Sequence, residues 1–337
     1  MTHTMTWATP LPMPDPNATD MMGGAFGLEL PCYNNFPYSE SAGCAWLSSG
    51  RAALERILRS IPRPRRVLVP RYVCNTILQP MERLGIPIAR YAIGDNLEPL
   101  PPADADTGDL LLLVNYFGLT GESLRAAALL HPGPVVVDAT TALYCPPLPG
   151  IPTFYSPRKF GGLSDGGIAC APFPLQQPEQ LDSSTYRATG LLLRAESGAT
   201  AAAKHFCEAE ESLCHPARRM SPLTRRMIAG IDWADAARRR LRNYAILHAA
   251  LAPINRLHLP ATPQYAPMCY PLVCGLPGLR DELIDAGIAL PLYWPEVTDS
   301  TTPDQPENRL ARNLLPLPLD QRYSPADMQR LLHLILG

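Results

Sequence analysis

The sequence predicts an α/β protein: a large domain around a mainly parallel sheet of the seven-stranded type, then a smaller C-terminal α+β domain. Three observations predict it. Asp109-Leu-Leu-Leu-Leu-Val-Asn115 and Pro134-Val-Val-Val-Asp138 are short and almost wholly apolar, the pattern of strands buried on both faces. Between residues 45 and 138 such runs alternate with helical periodicity, which asks for crossover connections and a doubly wound sheet that binds ligands at the carboxyl ends of its strands. The last hundred residues instead mix short strands and helices. The expected domains are a loose N-terminal arm over 1–20, rich in Pro, Thr and Asn, a large domain over 21–240, and a small one over 241–337.

Taken in order, Ala45-Trp-Leu-Ser-Ser-Gly-Arg-Ala-Ala-Leu-Glu-Arg-Ile-Leu58 reads as a short strand, a Ser/Gly turn and an amphipathic helix with Leu54, Ile57 and Leu58 inward. The free amides at such a helix start suit an anion. Val67-Leu-Val-Pro70 is the next strand, and the loop after it leads into a helix ending near Gly85. Ile86 to Ile93 and Asp109 to Asn115 are further strands, the latter running into Tyr116-Phe-Gly118. Leu181 to Leu251 is helical in pattern, Met268 to Cys274 strand-like, Gly278 to Ala286 helical, and a final helix begins at Pro325.

Composition excludes several classes. The chain has 337 residues, 46% hydrophobic and 18% charged, with net charge −2, so nothing points to nucleic acid or an anionic membrane. The short basic clusters at Arg63–Arg66 and Arg238–Arg242 are expected on solvated faces. Nine cysteines include no Cys-x-x-Cys pair, which suits neither a zinc site nor a disulfide framework and agrees with a reducing cytoplasm. No apolar run approaches the roughly 20 residues that span a bilayer, and the N-terminus has no signal-peptide pattern. No Gly-x-Gly-x-x-Gly stands at a strand-to-helix turn, so a dinucleotide site is not expected.

The chain uses two lysines, Lys159 and Lys204, against 27 arginines. Lys159 lies in a neutral, Gly-rich loop, Phe154-Tyr-Ser-Pro-Arg-Lys-Phe-Gly-Gly-Leu-Ser-Asp-Gly-Gly-Ile168. An arginine keeps its proton near neutral pH, whereas a buried lysine can lose it and offer the free amine that a Schiff base requires. Asp138 ends a predicted strand 21 residues earlier. A strand-end carboxylate and a loop amine match the needs of pyridoxal phosphate, one facing the ring nitrogen and the other the aldehyde. A surface lysine and a capping aspartate account for the same pattern equally well.

Ser156-Pro-Arg-Lys159 followed by Ser164-Asp-Gly-Gly167 resembles the Schiff-base segment of the DegT/DnrJ/EryC1/StrS family of sugar aminotransferases, and Val135-Val-Val-Asp-Ala-Thr-Thr-Ala142 resembles its Asp-Ala-Ala-Gln-Ala strand end. The resemblance runs from about residue 22 to 335 and implies the fold-type I architecture with pyridoxal 5'-phosphate as cofactor. It implies an internal aldimine on Lys159, a pyridinium partner in Asp138, and a phosphate cup of Ser49, Gly50 and Ser156. Arg51 stands where relatives carry Thr. Cys74 occupies the ring-stacking position, with aromatic Tyr72 two residues nearer. Thr141 replaces a Gln that meets the ring hydroxyl, and Ala217 replaces an Asn that reaches the partner subunit's phosphate, leaving Arg218 or Arg219 to substitute. Gly287-Ile-Ala-Leu-Pro-Leu-Tyr-Trp-Pro295 resembles the strand leading to the substrate edge.

The function implied is transfer of an amino group from glutamate, or a similar donor, to a nucleotide-linked keto-sugar by a homodimer. The alternative is a catalytically weakened relative that binds cofactor or sugar, motivated by Cys74, Thr141 and Ala217. A deoxysugar dehydratase is a third reading, and Lys159 argues against it because such relatives carry His there.

Overall fold

The two apolar runs form neighbouring parallel strands at the centre of an eight-stranded sheet. The structure, a computed structural model, describes residues 26–337; the expected arm over 1–20 lies outside the described residues. Residues 26–30 are irregular, and residues 31–337 form one compact unit.

Eight strands make the sheet: β1 (Cys44–Leu47), β2 (Arg66–Pro70), β3 (Ile88–Ile93), β4 (Pro99–Leu100), β5 (Asp109–Val114), β6 (Val135–Asp138), β7 (Thr153–Tyr155) and β8 (Gly167–Cys170). Their spatial order is β1-β8-β7-β6-β5-β2-β3-β4. Only β8, between β1 and β7, and the two-residue edge strand β4 run antiparallel to the rest. The expected mainly parallel sheet is therefore present, with β4 added at one edge. Every residue of β5 is buried, as an unbroken leucine run requires.

The helices that cross over are α1 (Gly50–Ser60), α2 (Gln79–Arg83) and α3 (Gly121–Leu130). Four follow β8: α4 (Thr189–Ser197), α5 (Ala199–Glu211), α6 (Pro222–Ala229) and α7 (Trp233–Leu251). Beyond them lie β9 (Tyr270–Leu272), α8 (Leu279–Asp285), α9 (Pro306–Asn313), β10 (Leu315–Leu317) and α10 (Pro325–Leu336). β9 and β10 pair antiparallel as a separate sheet. A second hydrophobic core forms there from Tyr244, Leu247 and Leu251 of α7, Tyr270 and Leu272 of β9, and Leu331 of α10. Trp233, at the other end of α7, belongs to the core of the large sheet, so this helix joins the two cores.

One expectation fails locally. Residues 288–294 form no strand. Pro291 and Pro295 have no amide to donate to a ladder, and Gly287 (φ 84°) and Trp294 (φ 54°) turn the backbone into the left-handed region at either end. Trp294 instead plugs the sheet core, edge-on to Tyr72 with ring centroids 4.6 Å apart.

Asp109 starts β5 fully buried and receives bidentate hydrogen bonds from Arg65 and Arg66 at 2.9–3.1 Å. The hydrogen bonds from Arg66 lead in lowering its pKa to about 2. A depressed carboxylate pKa stabilises the fold above its unfolded value, near 3.8, and that contribution fades as pH falls through about 2. Asp109→Asn is expected to cost about 1–3 kcal/mol at pH 7. Urea titrations should show the gap to the parent chain narrowing between pH 4 and 2; a gap that stays constant would contradict this assignment.

Candidate active site

β5, β6 and β7 are parallel neighbours, so the segments leaving their carboxyl ends emerge along one edge of the sheet, and those after β6 and β7 carry the residues singled out from the sequence. β6 delivers Asp138, which is buried. The turn after it brings Thr140 back over the strand end, so that the Thr140 amide donates to Asp138 Oδ1 at 2.8 Å. β7 delivers Ser156, also buried, and a short 3₁₀ turn over Pro157–Lys159 follows at once. Proline at the start of that turn fixes its first φ. Lys159 Nζ then donates to Thr140 Oγ1 at 3.2 Å.

Asp138 and Lys159 are thus joined through one threonine, and each perturbs the other. Burial pushes the Asp138 carboxyl upward, opposed by the Lys159 charge and by hydrogen bonds from Thr140. Desolvation pushes the Lys159 ammonium downward, opposed first by Asp138. The lysine remains reachable from the cleft, so it combines access with a weakened hold on its proton.

The floor of the cleft is built by close approach. Ser49 caps α1, its side chain accepting from the Ala52 amide at 3.1 Å. A Cβ on Gly50 would lie 3.2 Å from Thr140 Cγ2 and 3.6 Å from Ser156 Cβ, so the helix start, Thr140 and Ser156 surround one small space. A Cβ on Gly167 would stand 2.0 Å from the Ser49 carbonyl oxygen, which leaves glycine as the residue that lets β8 pass beneath this cup. Arg51, next in the chain to Gly50, and Arg158, next to Lys159, both engage Glu210 of α5. The residues gathered here fit a phosphorylated pyridine aldehyde: helix-start amides and serine hydroxyls suit a phosphate, a carboxylate suits a ring nitrogen, and an amine suits an aldehyde.

The other predicted residues have the following surroundings. Thr141 Oγ1 donates to the Asn115 carbonyl at 2.9 Å and accepts from the Phe117 amide at 3.2 Å. It thereby holds a turn in which Phe117 takes φ 58°, strained for an aromatic residue. Tyr72 is fully buried among Tyr116 and Trp294. Cys74 is half-buried, with its Sγ 3.1 Å from Thr76 Oγ1. Ala217 packs on the core, and Arg218 reaches Asp182 of its own chain at 3.4 Å.

Sequence reasoning missed four residues. Thr140 neighbours a threonine that was named instead. Glu210 gave no signal in its helix. Asp165, read as a turn residue, is a buried hub that accepts from Arg187 Nε at 2.8 Å and from Ser184 and Thr224; Arg187 also pairs with Asp182. Arg240, read as part of a solvated basic face, is buried. It donates to the carbonyls of Phe160 at 3.2 Å and Met268 at 2.9 Å, and to Gln321 Oε1 at 3.1 Å. Gln321 Nε2 donates to the same Phe160 carbonyl at 2.8 Å. The residue after Lys159 is in this way tied to α7 and to the segment beyond β10.

A cavity of about 420 Å³ lies beside Lys159, bounded by Phe160, Glu210, Arg194, Arg240 and Arg322. A larger one, about 840 Å³ and lined in part by Leu119, Arg125, Pro147, His258 and Tyr265, includes neither Lys159 nor Asp138. Among the described residues no group of His, Cys, Asp and Glu could hold a metal ion, and no helix is long and apolar enough to cross a membrane.

No family model matches the chain, and no curated protein matches it in sequence. Solved structures do share its fold. A DegT DnrJ EryC1 StrS aminotransferase from Brucella abortus aligns at 18% identity over 87% of this chain and 84% of its own, with TM-score 0.60. S. venezuelae DesV in complex with a ketimine intermediate aligns at 20% identity over 87% and 83%, with TM-score 0.59. A GDP-4-keto-6-deoxymannose-3-dehydratase with a trapped PLP-glutamate geminal diamine aligns at 14% identity over 86% and 87%, with TM-score 0.58. The fold is that of the fold-type I sugar aminotransferases.

Arg240→Met is expected to destabilise the chain by about 2–4 kcal/mol, because it strips buried carbonyls of their donors. Chemical denaturation measures this. A loss below about 0.5 kcal/mol, the range of an ordinary surface change, would mean the guanidinium is not an anchor.

Proposed function

We propose that this protein is a pyridoxal-phosphate-dependent aminotransferase that moves an amino group from glutamate to a nucleotide-linked keto-sugar. The observation that most supports the reading is the meeting of Lys159 and Asp138 across Thr140, at the carboxyl ends of parallel strands, in a fold shared with sugar aminotransferases. The bound cofactor would supply an aldehyde that condenses with amines and a ring that withdraws electrons.

The chain's own residues then have defined tasks. Ser49, the Gly50 amide, Ser156 and Arg51 hold the phosphate, and helix α1 points its positive end at it. Asp138 would face the ring nitrogen, and a cation there would counter the burial that pushes this carboxyl upward. Lys159 would hold the aldehyde, and its Nζ, when free, would move the proton of the donor's Cα. Desolvation lowers its pKa, which weakens its hold on the proton. Thr140 holds Nζ over the strand end, and Cys74 would face the ring. Lys159 also separates this reading from the dehydratase.

We take the working form to be a homodimer in a reducing cytoplasm, a compartment in keeping with nine free thiols. Arg218 or Arg219 would then substitute for the Asn missing at Ala217 in reaching the neighbouring subunit's phosphate.

Purified protein mixed with pyridoxal phosphate should develop a visible absorbance band that declines on adding glutamate and returns on adding a keto acid. A band indifferent to amino donors would favour the alternative, a binding relative. Asp138→Asn should retain cofactor yet lose on the order of a thousandfold in turnover, since a neutral amide cannot hold a ring cation in a desolvated site. Near-normal turnover would move the ring partner elsewhere.

A further inference from the structure

Glu210 stands where an anion is expected. Its Oε1 accepts from Arg51 Nη2 at 2.9 Å, and its Oε2 accepts from Arg158 Nη2. Arg51 also donates to the Glu210 carbonyl at 3.1 Å and to Gln79 Oε1 at 3.0 Å. One carboxylate thus divides its two oxygens between two guanidiniums, as two oxygens of a phosphate would. Arg51 is the second residue of α1, and Arg158 immediately precedes Lys159. Glu210 and Arg158 are both among the charges that act on the Lys159 amine, so the arrangement borders the cleft.

We propose that Glu210 is a resting occupant of a phosphate site formed by Arg51 and Arg158, and that a phosphate dianion displaces it. This rests on the cofactor-binding reading for the use made of the site, though not for its existence. Two cations facing one carboxylate leave a surplus positive charge, and a phosphate near neutral pH carries more charge than Glu210 does. A carboxylate and a phosphate between the same guanidiniums would repel strongly, so one excludes the other. The move is cheap for the fold. Helix α5 packs chiefly on α4, where Gly190 meets Phe206, and most residues from 194 to 204 are exposed. Ala202, Ala209 and Leu213 are its buried anchors. Displacing Glu210 frees the α4–α5 hairpin at the mouth of the 420 Å³ cavity, which Glu210, Phe206 and Arg194 help to line.

The test uses the full chain and inorganic phosphate as probe, read by calorimetry, with hydrogen exchange over residues 199–211. Glu210→Gln removes the competing charge and is expected to tighten phosphate binding about tenfold. Arg51→Gln and Arg158→Gln are expected to weaken it by at least about that factor. In the unaltered chain, phosphate should speed exchange over 199–211, a readout that needs no variant to fold. A purely structural ion pair predicts no response to phosphate: affinity that is unchanged or weaker in Glu210→Gln, or exchange over 199–211 that phosphate leaves unchanged or slows, overturns the proposal. Chain preloaded with pyridoxal phosphate identifies the natural source. If it no longer binds inorganic phosphate, the site takes the cofactor's phosphate; if it still does, the site takes a phosphate of the nucleotide. Tight phosphate binding in Glu210→Gln with no covalent capture of pyridoxal phosphate would leave this inference standing and remove the cofactor reading.

Discussion

An amine and a carboxylate linked through one threonine form the constraint around which the candidate site is arranged. Burial pushes the Asp138 carboxyl upward and desolvation pushes the Lys159 ammonium downward, and each group's charge opposes the shift of the other. Thr140 bridges them by its amide on one side and its hydroxyl on the other. The parallel sheet makes this placement possible. β6 and β7 are neighbours in register, Asp138 opposite Phe154, so the segments leaving their carboxyl ends emerge side by side. What 21 residues of sequence separate, one pair of strands brings together.

The surroundings keep that geometry rigid without touching the chemistry. Behind the cup, Asp165 gathers Arg187, Ser184 and Thr224, which fastens the start of β8 to α6 and to the segment before α4. In front, Arg240 and Gln321 both donate to the Phe160 carbonyl, which fastens the lysine turn to α7 and to the C-terminal segment. Arg240 has no carboxylate partner among the described residues; carbonyl oxygens solvate its charge, and burial lowers its pKa. The α4–α5 hairpin, by contrast, has few buried residues. The site therefore joins two firmly held walls to one loosely held one.

Much of this was legible in the sequence where local rules suffice. An unbroken leucine run can be satisfied only between two strands under two layers, and β5 lies there. A lysine kept in a chain that otherwise uses arginine marked Lys159, and a carboxylate ending a valine run marked Asp138. Local rules cannot rank Thr140 against Thr141, because both sit in a turn where strand alternation has ended; the need to hold the strained Phe117 decided it. Arg187, Arg240 and Glu210 were illegible for another reason. Their partners lie tens of residues away, as with Arg158 and Glu210, 52 apart, and helical periodicity says which face a residue takes but not what it meets. Residues 288–294 resemble a strand yet form none: Pro291 lacks the amide a ladder needs, and Trp294 takes a left-handed φ that the sequence does not announce.

The most direct test of the account is chemical capture at the amine. Protein incubated with pyridoxal phosphate is reduced with borohydride, digested, and its labelled peptide identified by mass spectrometry. The account predicts one phosphopyridoxyl group per chain, on Lys159, in the peptide that contains it. Label on Lys204, which is exposed and pairs loosely with Glu208 at 3.6 Å, or no label at all, would contradict it.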